Sequence, residues 1–228
     1  MSSIDDRSLF APTFPARIDP ARVSIVEEPA AELHLVADAL VQQTLRPASD
    51  DDAALITMLL KLARKRMEKL TGLAFITQTL RVTFDRLPDC TKANEIELPR
   101  APLQSIDAIT YLDEAGAEQD FDVDNVSTGL AADEVGPADS FGKIRLNPDA
   151  SWPSLGSFPR ALRIDFVAGF GDTAADVPPD LSMAVLFLAK HYYELIQSAG
   201  TSYNPAADEA VPAFIADMIS GARIAFIA

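Results

Sequence analysis

Two stretches in the first third of the chain place apolar residues at helical spacing. The first runs from Pro29 to Leu45, and Pro47 is expected to end it, because proline disfavours helix in the residue before it. The second follows the polar run 49–52, whose side chains suit a helix N-terminus, and stops at Gly72, which suits a left-handed C′ position. Its apolar stripe is Leu55, Ile56, Leu59, Leu62, Ala63, Met67 and Leu70. The pattern predicts two consecutive helices.

Strand spacing replaces helical spacing from residue 74. Apolar and polar residues alternate between Ala74 and Arg86, which is typical of a half-buried strand. Residues 113–116 predict a hairpin turn, and the acidic stretch 125–140 predicts a loop. Shorter runs predict further strands at 95–98, 106–112, 119–123, 143–146 and 162–167.

Helical spacing returns after Pro178 and Pro179, and Gly200 is expected to end that helix. A last segment starts at Pro212. Residues 1–28 are punctuated by prolines and predict an extended arm. We therefore predict an α+β fold, a helical bundle with an inserted antiparallel β-sheet region and a C-terminal partner-binding segment. The expected divisions are an N-terminal arm (1–28), two bundle helices (29–73), the β region (74–172), a further bundle helix (173–202) and the C-terminal segment (203–228).

Composition and charge narrow the possible partners. The 228 residues are 48% hydrophobic and 23% charged, which is typical of a globular protein. Nineteen Lys and Arg face 34 Asp and Glu, and a net charge of −15 disfavours tight binding of DNA or RNA. The single Cys90 excludes an intramolecular disulfide and a cysteine-based zinc cluster. No signal peptide or membrane span is recognised, so we expect a protein made in the cytoplasm with no membrane partner.

Candidate catalytic and metal-binding groups are sparse. His34 and His191 are better explained by solvation or packing than by chemistry. The alternating aspartates of 120–124 lack the glycine and glutamate that a calcium loop needs, and Gly-Phe-Gly at 169–171 is too short for a phosphate loop. Cys90 has no plausible paired histidine. We expect no enzymatic activity, no catalytic residue, no metal and no cofactor.

Two groups of residues contrast with the rest of the chain. A basic face occupies the second half of the second helix and consists of Lys61, Arg64, Lys65, Arg66 and Lys69. It is either a solvated helix face or a contact with an acidic patch of another copy or partner. The C-terminal segment is apolar where termini are usually polar, through Phe214, Ile215, Met218, Ile219, Ile224, Phe226 and Ile227. These residues pack either in the core of the chain or in a partner's groove.

Eight short motifs follow one another between about residues 24 and 220. They lie at 50–56, 68–79, 96–106, 111–116, 151–153, 167–172, 177–178 and 191–194. Their order and spacing resemble the head–tail connector (adaptor) proteins of long-tailed phages and gene transfer agents. The resemblance implies a structural protein that forms a dodecameric ring at the head–tail interface of a virion or virus-like particle, assembled in the bacterial cytoplasm.

The resemblance also implies the partners. The ring would join the portal protein to a tail or head-completion (stopper) protein, and the C-terminal segment would contact the portal. DNA would pass through the lumen without specific binding, since twelve copies carry roughly −180 formal charges. Two other classes remain open from the residues alone: a small acidic hydrolase using carboxylates at 50–52 or 120–124, and a regulatory module whose acidic surface mimics nucleic acid.

Overall fold

The computed structural model describes residues 23–35, 37–47, 52–87, 95–128, 142–198 and 211–219. Its elements are β1 (Val23–Glu27), α1 (Ala39–Leu45), α2 (Ala53–Thr71), β2 (Gln78–Phe84), β3 (Glu95–Leu98), β4 (Leu103–Leu112), β5 (Glu118–Phe121), β6 (Val126–Ser127), β7 (Gly142–Leu146), β8 (Leu162–Ala168), α3 (Pro179–Ser198) and α4 (Ala213–Met218). The predicted α+β class is therefore confirmed. Within these ranges no helix is long and apolar enough to cross a membrane.

A five-stranded antiparallel sheet has the strand order β1-β2-β8-β4-β5, and a second sheet has the order β3-β7-β6. In β2 every second residue is buried, so the alternation seen in the sequence separates a core face from an outer face. Leu80 lies opposite Phe166, and Val82 lies opposite Ile164. These side chains share one apolar core with Ile96 and Ile144 of the second sheet, so the two sheets pack on each other.

The helices form a separate apolar core in which α3 is the common neighbour. Residues of α1, α2 and α4 all contact α3. Val41, Ile56, Met67, Val185 and Ile215 are among the buried members of this core. The amphipathic stripes predicted from helical spacing therefore meet one another, and α3 provides the surface on which the other three helices pack.

The chain before α2 differs from the prediction. The helix expected over 29–45 begins only at Ala39, because Leu33 and His34 fold into the helical core from a non-helical segment. His34 Nε2 forms a hydrogen bond with the carbonyl oxygen of Ser182 at 2.9 Å. The apolar spacing of this segment thus reflects a buried loop as well as a helix.

The N-terminal part of the sheet also differs from the prediction. Residues 23–27, expected to end an extended arm, form β1 and pair with β2, so the sheet does not lie wholly between the helices in sequence. Residues 126–127, expected to be loop, form β6. The spacing of apolar residues does not predict either strand, because both strands are short and lie at sheet edges.

Two local turn predictions are confirmed. Gly72 ends α2 with φ 75°, and its N–H donates to the carbonyl oxygen of Glu68 at 3.0 Å. The 113–116 turn joins β4 to β5, and the Asp113 carboxylate accepts the N–H groups of Ala115 and Ala117, each at 2.9 Å. The hydrogen bond from Ala117, together with that from Gln119, lowers the pKa of Asp113.

The predicted cap of α2 is not formed by Asp52. Its carboxylate makes no capping hydrogen bond. Instead, Asp52 Oδ2 accepts a hydrogen bond from the hydroxyl group of Tyr193 in α3, at an O–O distance of 2.7 Å. The remaining expected cap residues, 49–51, lie outside the described residues. The Tyr193 contact therefore joins the start of α2 to α3.

Candidate interaction surface

Arg64 does not lie on the exposed basic face that the sequence predicts. Its side chain is 1% exposed and lies beside the buried stripe of α2. The guanidinium donates to both carboxylate oxygens of Glu32, at 2.7 and 3.1 Å. It also donates to both oxygens of Glu68, at 3.2 and 3.1 Å. The assignment of Arg64 to a surface is wrong because two carboxylates hold it inside the protein.

Glu68 extends this network from α2 to the sheet. One of its carboxylate oxygens accepts the backbone N–H of Phe75 and the side-chain amide of Gln78, each at 3.1 Å. The Arg100 guanidinium donates to the backbone carbonyl oxygen of Glu68. The network consequently connects the segment before α1, the helix α2 and the start of β2.

Burial and the nearby carboxylates shift the pKa values of Arg64 and Arg100 in opposite directions. Burial lowers the pKa of Arg64, but the hydrogen bonds and charges of Glu32 and Glu68 outweigh it and raise the pKa. Burial lowers the pKa of Arg100, and the charge of Glu68 opposes this only partly. Both start from an ordinary value so high that an arginine in a protein stays protonated. Both guanidinium groups of the network therefore remain positively charged.

The other four cations of the predicted face do lie at the surface. The side chains of Lys61 and Lys65 are 44% and 41% exposed, and they donate to different oxygens of the Glu28 carboxylate, each at 2.8 Å. The hydrogen bonds from Lys61 and then Lys65 lower the pKa of Glu28 to about 2. Lys69 is exposed and Arg66 is half-buried. We call Lys61, Lys65, Arg66 and Lys69 the α2 basic surface.

Two large apolar side chains continue this surface toward the start of α2. Met58 is 59% exposed and Leu62 is 50% exposed. The sequence placed Leu62 in the core-facing stripe, and that assignment is wrong. Met58, Leu62, Lys65 and Lys69 follow the i, i+4, i+7, i+11 spacing of one helix face, opposite the buried side. This exposed face of α2 is therefore apolar toward the start of the helix and positively charged toward its end.

The residues expected to contact a portal divide into three groups. Ile215 and Ile219 are buried in the helical core of the chain itself, so they offer no side-chain surface to a partner. Phe214 is 55% exposed and packs edge-to-face on Phe187 with ring centroids 5.9 Å apart, and Met218 is half-buried. Ile224, Phe226 and Ile227 lie outside the described residues.

The carboxylates considered for a hydrolase do not converge. Asp52 binds the Tyr193 hydroxyl, and an Asp122 oxygen accepts the N–H of Asp124 at 3.0 Å. Asp120 is exposed on β5, at the edge of the sheet. In the part of the chain that the structure describes, no group of histidine, cysteine, aspartate or glutamate could hold a metal ion. The described carboxylates give the hydrolase hypothesis no support.

Solved structures with a similar fold come from gene transfer agent (GTA) particles. One is a chain in the neck of a native GTA particle computed with C12 symmetry, with a TM-score of 0.63, and another is in the neck of an empty GTA particle computed with C6 symmetry, with a TM-score of 0.65. Both are 23% identical in sequence, and each alignment covers 90% of this chain and 97% of the other. A chain from the virion of a native GTA particle is 24% identical, with a TM-score of 0.58 and coverage of 83% and 92%.

No protein-family model and no curated protein matches the chain. The structural similarity spans nearly all of both chains, so it concerns the complete arrangement of helices and sheets and not one common motif. The chain therefore shares its fold with components of GTA necks.

Replacing Arg64 with methionine should strongly destabilise the protein. The change leaves the Glu68 carboxylate buried without its cation, and breaking a buried pair in this way costs about 3–5 kcal/mol. Lys69→Met, on the exposed side of the same helix, should change the free energy of unfolding by about 0.5 kcal/mol or less. Urea denaturation at neutral pH measures both values. Equal, small effects would show that the Arg64 network does not stabilise the fold.

The contact of Glu28 with Lys61 and Lys65 should make stability depend on acid pH. The pKa of Glu28 is about 2 in the folded chain against an ordinary value of 4.5. Because the folded value is lower, the stabilisation is complete above about pH 4.5 and is lost as the pH falls toward about 2. The difference in Tm between the wild type and Glu28→Gln should therefore shrink across this window. Glu114→Gln, at the exposed hairpin turn, controls for the loss of one negative charge, and a Glu28→Gln difference that stays constant with pH would contradict the assignment.

Proposed function

We propose that this chain is a head–tail adaptor, a structural protein of the neck of a tailed phage or gene transfer agent. In this proposal twelve copies form a ring that joins the portal to the tail or stopper protein and lines the DNA exit channel. The observation that carries the proposal is the full-length similarity of fold to chains in GTA necks, at 90% coverage of this chain and 97% of the others. The structures of those necks were computed with C12 and C6 symmetry, which supports a ring of repeated copies.

The charge of the chain fits a channel through which DNA moves. Each copy has a net charge of −15, so a ring presents a strongly negative surface to the phosphate backbone. Like charges keep DNA hydrated and prevent counterion release, which is the main source of non-specific protein–DNA affinity. DNA would therefore pass through the lumen without specific binding. This behaviour is what we expect of a structural channel with no enzymatic activity.

The portal contact is assigned to the C-terminal segment, 203–228. Within it Phe214 and Met218 offer apolar surface beside the helical core, and Ile224, Phe226 and Ile227 follow in the sequence. Burying one large apolar side chain contributes roughly 1.5–3 kcal/mol before ordering costs are subtracted. A small surplus in each copy becomes a stable attachment when a ring binds the portal at many sites together.

Particle assembly in cells tests this proposal. Cells that lack the gene should accumulate DNA-filled heads that leak or carry no tails, and the wild-type gene should restore complete particles, as counted by electron microscopy. The variant Ile224→Ser/Phe226→Ser/Ile227→Ser should fold normally, as judged by its melting curve, but should fail to restore tails. Arg223→Ser alters the same segment without removing an apolar residue, and it should complement fully.

The possible results of this experiment test the adaptor function and the portal contact separately. Complete, tailed particles in the absence of the gene would overturn the adaptor proposal. A triple variant that restores tails would overturn only the portal contact. A triple variant that cannot fold would show that these residues belong to the core of the chain, and the portal contact would then have to be assigned to other residues.

A further inference from the structure

One side of α2 is exposed along its length, and its two large apolar side chains, Met58 and Leu62, stay open to solvent in the described chain. Met58, Leu62, Lys65 and Lys69 form this face, which we call the α2 row. Lys65 shares the Glu28 carboxylate with Lys61, and among the described residues no ion pair is recorded for Lys69, so the charge of the lysines here is only partly neutralised. A row that is apolar at one end and positive at the other suits an acidic partner with some apolar surface.

The α2 row adjoins one edge of the five-stranded sheet. Glu28, which binds Lys61 and Lys65, directly follows β1, and β1 is the outermost strand on that side. Ile25 and Val26 of β1 are exposed large apolar residues. This side of the molecule therefore combines exposed apolar residues with the lysines of α2.

The opposite edge of the same sheet is acidic. It is formed by β5 and the turns on either side, within a stretch, 107–124, that contains seven carboxylates and no lysine or arginine. Asp113 is occupied by the hairpin turn, and Glu118 binds Arg163 at 2.6 Å. The exposed carboxylates that remain at this end are Glu114, Asp120, Asp122 and Asp124, which we call the acidic edge.

We propose that copies of this chain dock head to tail, with the α2 row of one copy against the acidic edge of the next. The strand order β1-β2-β8-β4-β5 separates the two edges by four strand spacings, roughly 19 Å. Complementary surfaces on opposite sides of one molecule let the same contact repeat from copy to copy, and such a heterologous contact closes into a ring when its rotation allows. The inference rests on the proposed function in that it identifies the surfaces that would build the ring.

Charge complementarity favours a second copy of this chain as the partner that binds the α2 row. A two-fold contact through the α2 row would place lysines against lysines, and one through the acidic edge would place carboxylates against carboxylates. The head-to-tail contact alone pairs opposite charges at every junction.

Zero-length cross-linking of mixed copies tests the contact directly. A carbodiimide joins a lysine to a carboxylate only where the two groups touch, so it is applied to an equal mixture of ¹⁵N-labelled and unlabelled full-length chain at high concentration and low salt. Mixed-isotope peptides should link Lys65 or Lys69 to Asp120 or Asp124. The yield should fall as salt rises, because salt screens exposed charge pairs.

Charge reversal supplies the matched variants. Lys65→Glu/Lys69→Glu and Asp120→Lys/Asp124→Lys should each weaken self-association, measured by sedimentation, by about tenfold or more, since each places like charges across the contact. Combining all four changes restores opposite charges and should restore association. Lys143→Glu/Lys190→Glu and Asp149→Lys/Asp172→Lys reverse the same number of exposed charges elsewhere and should leave association unchanged.

Each other result overturns the head-to-tail contact. Cross-links that map to other residues, control variants that weaken association equally, or a wild-type chain that stays monomeric at low salt would do so. Binding of a short DNA duplex that is lost in Lys65→Glu/Lys69→Glu, with no cross-links between copies, would instead make the α2 row a DNA contact. None of these results alters the particle counts that test the adaptor function, so the two proposals can fail separately.

Discussion

The buried Arg64 pairs with the buried Glu68 and the half-buried Glu32, and the contact between the helices and the sheet depends on this pairing. Glu32 approaches from the segment before α1, while Glu68 lies one turn further along α2 and reaches Phe75 and Gln78 at the start of β2. The Glu68 carboxylate is buried and would be unstable without a cation, and the arginine fork binds it together with the half-buried carboxylate of Glu32. The helical core and the sheet core are thus joined by a polar contact that admits one geometry.

This constraint bears directly on the proposed ring. In the proposed ring the same contact must repeat around the circle, and small angular errors would add up from copy to copy. The α2 row lies on the outer side of a helix whose inner side forms part of the helical core, and the acidic edge belongs to the sheet. Because the Arg64 network fixes α2 against β2, it also fixes the angle between these two surfaces.

The sequence predicts those features of the fold that depend on neighbouring residues. The alternation in β2, the glycine that ends α2 and the turn at 113–116 are of this kind. Helical spacing could not assign Arg64, because a charged residue is normally exposed and its partner Glu32 lies 32 residues away. It likewise could not show that Ile215 packs in the chain's own core while Phe214 stays exposed, since both fit one amphipathic stripe. The burial of these residues depends on tertiary contacts, which the spacing of apolar residues along the sequence does not reveal.

The backbone amide of Phe75 gives the most direct test of this account. Its N–H donates to the Glu68 carboxylate at 3.1 Å, so it reports whether α2 and the sheet separate. If they form one rigid unit around Arg64, native-state hydrogen exchange should show this amide opening only with global unfolding, with the same protection as the amides of the central strand β8. Exchange at Phe75 that is orders of magnitude faster than in β8 would contradict the account, because it would mean that the helices detach from the sheet while the sheet stays folded.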